Sequence, residues 1–129
     1  MKKILLQVLA VMVIIVFAAS CQYKFNLDPV VPPPEPGDTV SFSLDVLPIF
    51  NDNNNCTGCH NTGGTPPDLT PDNAYDQIIS LGLVDEATPE ESKIYKVPHP
   101  DDPGHSWKKY TNPEAATVLL WIEEGAKNN

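Results

Sequence analysis

Cys56-Thr57-Gly58-Cys59-His60 sets two thiols three positions apart, with an imidazole directly after the second. This is the spacing of a c-type haem attachment string. Two thiols so placed reach the two vinyl groups on one edge of a porphyrin, and the next residue turns its imidazole to the iron. Thr57 and Gly58 are small, so the backbone can wrap closely between the sulfurs, and Gly58 suits such a turn. The expected cofactor is one covalent haem c, attached at Cys56 and Cys59, with His60 as the proximal iron ligand.

Two other uses of a C-x-x-C pair compete. A thioredoxin-like redox pair follows a strand in a βαβ unit, whereas the string here follows the polar run Asn51 to Asn55 in a chain with little β character. Zinc is the stronger rival. Cys56 and Cys59 with His99 and His105 supply acceptable tetrahedral ligands, as in a zinc-stabilised structural lipoprotein. However, 39 residues lie between Cys59 and His99, far more than the roughly 12–15 of common zinc motifs, and zinc leaves His60 without a role.

Upstream, Met1-Lys2-Lys3 precedes the almost unbroken apolar run Ile4 to Ala19, then Ala18-Ala19-Ser20 before Cys21. A basic start, a short apolar run and small residues at a cut point describe a secretory signal over residues 1–20. The run is short of the about 20 apolar residues of a membrane span, which speaks against an uncleaved anchor helix. Small residues before Cys21 resemble the lipobox of bacterial lipoproteins, with Ala18 where Leu is usual. That resemblance implies a lipid on Cys21, a tether to a bacterial membrane on its periplasmic side and, with Gln22 after the Cys, the outer membrane. Export strengthens the haem reading, because haem is attached outside the cytoplasm. Of the three Cys, one fits the lipid and two fit the string, so none remains for a structural disulfide.

Residues 21–39 carry Pro29, Pro32, Pro33, Pro34 and Pro36, then Gly37. Such a run favours polyproline II and acts as a semi-rigid spacer, reaching roughly 55 Å at about 3.1 Å per residue. The globular part is then one domain, 40–129. A domain of that size buries a modest core, and a covalent cofactor would help to hold it together.

Caps and apolar spacing predict about four helices and no sheet. The first opens with Asp45 as its cap and Pro48 in its first turn, buries Val46, Leu47, Ile49 and Phe50, and ends at Asn53 to Asn55. The second starts at Thr70-Pro71, buries Ala74, Ile78 and Ile79, and stops at Gly82. Thr88-Pro89-Glu90-Glu91 reads as a capping box opening a short helix through Tyr95. Thr111 to Glu114 is a second capping box, followed by the stripe Ala115, Val118, Leu119, Ile122 and Ala126. Val40 to Leu44 alternates, but stands alone. The fold class is all-α.

Charge narrows the partners. The eight Lys less Lys2 and Lys3 leave six against 17 acids, and there is no Arg, for a net charge of −11 after cleavage. Nucleic acids and anionic lipids are held by Lys/Arg clusters, so neither is expected as a partner. A redox protein with a basic docking face is, in the periplasm or on its membranes.

Asp45-Val46-Leu47-Pro48-Ile49-Phe50, the haem string and Trp121-Ile122-Glu123-Glu124-Gly125-Ala126 together resemble a group of periplasmic bacterial cytochrome c domains. Those carry D-V-x-P-I-F before C-x-x-C-H and W-I-x-x-G-A near the end, and the likeness covers most of 40–129. It implies the class I cytochrome c fold, in which the first and last helices cross beside the haem. Ile49 and Phe50 would then meet Leu119 and Ile122, with Trp121 in the core or lining the haem crevice. Related cytochromes also imply that the Thr65-Pro66-Pro67 loop offers a carbonyl to His60 Nδ1–H.

At the sixth iron ligand the chain departs from that group. Members place a Met in a loop before the last helix, but the only Met residues here are Met1 and Met12, both in the signal. Trp107, which cannot ligate iron, holds the expected Met position in Gly104-His105-Ser106-Trp107-Lys108-Lys109-Tyr110-Thr111. His105 is the first substitute as distal ligand and His99 the second; an open or water-bound iron is the remaining option. A closed iron suits single-electron transfer, whereas an open one suits a haem sensor or small-ligand binder. No catalytic constellation is readable, so no small-molecule substrate is expected. The expected function is a monohaem electron carrier rather than an enzyme.

Overall fold

The computed structural model describes residues 39–105 and 107–129. The expected signal over 1–20, the expected lipid attachment at Cys21 and nearly all of the expected tether 21–39 lie outside the described residues. Among those described, the fold is helical with no strand, and no helix is long and apolar enough to cross a membrane.

The first helical segment begins earlier than the sequence suggests. Ser41, not Asp45, caps it: Ser41 Oγ accepts from Leu44 N at 3.3 Å, and the Asp45 carboxylate accepts from Ser41 N at 2.7 Å. A widened π-turn, Phe42–Val46, runs directly into α1, Leu47–Asn51. Pro48 explains the widening. It has no N–H to give, and its ring would meet the carbonyl four residues back in a regular helix. A turn closed one residue wider, with Leu47 N bonded to Phe42 O, absorbs the misfit. Phe42 and Val46 share the buried face, while Leu44 points outward at 77 % exposure. The chain then leaves the helix through Asn53 and Asn54, both left-handed with φ of 53° and 55°. Asn tolerates that region better than other residues with a β-carbon, which is why an Asn run stands here.

Three helices follow: α2, Ala74–Ser80; α3, Lys93–Lys96; and α4, Asn112–Glu123. In α2, Ala74 and Ile78 are fully buried, but Ile79 is exposed rather than in the core. Thr70 does not cap it with its side chain; the turn before α2 is held by Ala74 N to Thr70 O at 2.8 Å. The Thr88 capping box does not form either. Thr88 Oγ1 donates to Asp85 Oδ2 at 2.8 Å, while Asp85 Oδ1 accepts from Ala87 N and Thr88 N. Glu91 pairs with Lys96. Only a 3-10 turn, Pro89–Glu91, forms there, and it breaks from α3 at Ser92. The Thr111 box does form: Thr111 Oγ1 accepts from Glu114 N, and Glu114 Oε2 accepts from Thr111 N at 2.6 Å.

The core joins the two ends of the domain. Trp121 of α4 lies 5.2 Å, centre to centre, from Phe42, which meets Tyr75 of α2 edge-on at the same distance. Val46, Phe50, Ile78, Val118 and Ile122 are closed off around them. Each such side chain contributes roughly 1.5–3 kcal/mol by leaving water. Leu120 packs against this core and Thr117 is buried, whereas Leu119 is only half-buried. Asn129 closes the join: its side-chain oxygen accepts from Phe42 N and its backbone oxygen from Ser43 N, each at 2.9 Å. Those are among the N–H groups that a helix start leaves without intrahelical partners.

Candidate functional site

The Cys56–His60 string hangs from the end of α1. Cys56 N donates to Phe50 O, and His60 N to Cys56 O, both at 2.9 Å, which curls the string into one turn. Gly58 sits where that turn folds against the preceding Asn loop. A β-carbon there would stand 3.1 Å from Asn54 O. Both thiols are free of any disulfide; Cys56 is half-buried against the core and Cys59 is exposed. Burial, and then the Glu114 carboxylate, push the Cys56 thiol up to about 11, with Lys108 partly opposing. It is therefore held as S–H at neutral pH.

His60 is oriented by the loop that follows. Gly63 takes a left-handed φ of 82°, and Gly64 then passes so close to the string that a β-carbon on it would lie 2.5 Å from Cys59 O. Only glycine fits that approach. The chain is thereby turned back, so that Thr65 N donates to Cys59 O at 3.0 Å and Leu69 N to His60 O at 2.9 Å. Thr65 O lies 3.0 Å from His60 Nδ1, as the resemblance to related cytochromes implied. A carbonyl can only accept, so Nδ1 carries the proton and the neutral ring keeps its lone pair at Nε2.

Asp68 fastens this loop, a role the sequence reading missed. Its Oδ1 accepts from Thr70 N at 3.0 Å and Thr70 Oγ1 at 2.6 Å; its Oδ2 accepts from Thr62 Oγ1 at 2.7 Å and Asn73 Nδ2 at 2.9 Å. The hydroxyls of Thr70 and Thr62 are the main cause of its pKa being lowered to about 2. The signal was available in Asp68-Leu69-Thr70, because Asp side chains commonly bind the N–H two residues on.

His105 and His99 lie in the loop between α3 and α4. Tyr110 anchors its far end: it is buried, donates its phenol to Ile94 O at 2.8 Å, and has its N–H on Pro98 O at 2.9 Å. Burial holds that phenol well above its ordinary pKa. His105 brings its ring to 6.1 Å from that of His60, centre to centre, with 19° between the planes. Its Nδ1 meets Lys108 O, which again leaves Nε2 as the free nitrogen of the neutral ring. His99 is held otherwise: its ring lies edge-on to Tyr95 at 5.1 Å, and its Nδ1 accepts from Asp101 N at 3.2 Å. Trp107 is 82 % exposed, so it stands outside the core.

The donor set fits haem c. Two unpaired thiols three positions apart and an imidazole with its Nδ1–H on a carbonyl are what attachment and axial ligation require. A zinc site would need three or four ligands together, and no group of three His, Cys, Asp or Glu is gathered in that way among the described residues. No family model, curated protein or solved structure matches the chain.

Proposed function

We propose that this protein is a monohaem c-type cytochrome that carries single electrons between periplasmic redox partners. The observation that carries the reading is His60, with Nδ1 on Thr65 O at 3.0 Å, directly after two unpaired thiols. Attachment needs no oxidant. Cys56 and Cys59 would hold the group through two thioether bonds, each S–H adding across one vinyl C=C with sulfur on one carbon and hydrogen on the other. Bound haem supplies a one-electron couple at its iron.

The chain's own residues hold and orient that centre. The Thr65 carbonyl fixes the His60 ring and raises its basicity as a ligand. The Cys56–His60 turn is fixed in place by its bonds to Phe50 O and by Gly58 against Asn54 O. Packing of α4 on the Phe42–Val46 turn supports the finer reading of a class I cytochrome c fold with its first and last helices crossing beside the haem. The excess of acids suits transient docking to a basic face, in the small interfaces of redox encounters, below about 1,200 Å². Lipid on Cys21 would confine the carrier to the membrane surface, within reach of its tether.

A potentiometric titration of the exported, haem-loaded full chain tests the function. The expected result is one reversible transition with single-electron slope. A protein with no reversible transition, or one whose reduced form is consumed in a reaction with a small molecule, is not a carrier.

A further inference from the structure

We infer that His105 Nε2 is the sixth iron ligand, so that the centre is a closed bis-histidine one rather than a histidine–methionine or open one. This rests on the haem reading above and deepens it. An imidazole nitrogen lies about 1.2 Å from its ring centre and about 2.0–2.1 Å from a metal it ligates, so two imidazoles on opposite sides of one metal stand about 6.4 Å apart. His60 and His105 stand at 6.1 Å. That separation is close to the spacing of a shared axial pair. Two rings whose planes both contain one N–metal–N line, and are turned little about it, have nearly parallel planes, and the observed angle of 19° is compatible with that arrangement.

The hydrogen bonds agree on both sides. His60 uses Nδ1 on Thr65 O and His105 uses Nδ1 on Lys108 O. Each neutral ring therefore presents Nε2, and each has the backbone partner that metal-bound histidines habitually keep. His99 is otherwise engaged, by Tyr95 and Asp101 N. The loop that carries His105 is itself fixed. Tyr110 locks its end, Lys109 Nζ reaches Pro100 O and Asp102 O, and Gly104 N is held by Asp102 Oδ1 at 2.6 Å. A closed bis-histidine iron takes a lower potential than a histidine–methionine one and excludes exogenous ligands.

The test uses the haem-loaded full chain as wild type, His105→Ala, His105→Met and His99→Ala, each checked for retained helicity by circular dichroism. Visible and electron paramagnetic resonance spectra, carbon monoxide binding by the native reduced form, and potentials are read. The wild type is expected to be low-spin and inert to carbon monoxide. His105→Ala should become high-spin, bind carbon monoxide, and return to low-spin with added imidazole. His105→Met should raise the potential, and His99→Ala should match wild type. A His105→Ala spectrum identical to wild type, or loss of the low-spin bands in His99→Ala, overturns the assignment while leaving the cytochrome reading intact. A wild type without covalent haem overturns both.

Discussion

Thr65 O lies 3.0 Å from His60 Nδ1, and the bond exists because Gly64 lets the chain fold back onto Cys59 O. Gly64→Ala would place a β-carbon 2.5 Å from that backbone oxygen, so the loop must shift. Overpacking of this kind costs about 1–3 kcal/mol. Gly58→Ala meets Asn54 O at 3.1 Å and should cost less. Denaturation of the two variants should rank Gly64→Ala as the more damaging; equal losses would mean that the loop yields freely.

Asp68 makes stability depend on acid. Its folded pKa of about 2 lies below the ordinary 3.8, so its contribution is fully present above about pH 4 and is lost as pH falls through about 2. Asp68→Ala should be less stable than wild type at neutral pH, and the difference should narrow between about pH 4 and pH 2. Thermal unfolding measured across that range checks the sign. A difference that stays constant with pH would show that the carboxylate charge is not what the Thr62, Thr70 and Asn73 donors stabilise.

The two expected capping boxes should respond differently. Thr111→Ala removes a formed cap and should destabilise by about 1 kcal/mol, within 0.5–2. Thr88→Ala removes a single hydroxyl bond to Asp85, whereas Asp85→Ala frees three donors at once, Ala87 N, Thr88 N and Thr88 Oγ1. Chemical denaturation should therefore give Asp85→Ala a larger loss than Thr88→Ala. The reverse order would restore Thr88 as the cap.

The two tryptophans should separate cleanly. Trp121 is fully buried against Phe42 and donates its indole N–H to Lys127 O at 2.9 Å. Trp121→Ala should cost about 3–5 kcal/mol. Trp107, largely exposed, should tolerate Ala within about 0.5 kcal/mol. Urea midpoints of both variants decide it.

Much of this was legible in the sequence where a local rule acted alone. Thr111 to Glu114 formed its box because both halves of the motif lie within one turn. Ala74, Ile78, Val118 and Ile122 went inside because helical spacing put them on one face. The misses came where a distant or competing partner intervened. Ser41 took the first cap, with Asn129 supplying further acceptors from the other end of the chain, and no local pattern announces that. Asp85 captured Thr88 before it could cap. Ile79 and Leu119 satisfy the helical period yet lie at the edges of their buried faces. At the site, the spacing of the Cys56–His60 string could be read directly, and the Thr65 carbonyl beside His60 Nδ1 was implied by the resemblance to related cytochromes. The approach of His105 to His60 was expected only from the lack of a Met, since 44 residues lie between them, and Asp68 went unread because its partners are spread from Thr62 to Asn73.

The most direct measurement is the intact mass and visible spectrum of the exported full chain after denaturation, compared with Cys56→Ala/Cys59→Ala. The account predicts that the denatured wild type keeps one haem on the polypeptide and that the double variant keeps none. A wild-type chain that denatures to colourless polypeptide with two free thiols, after export through a cell equipped for haem attachment, would contradict it.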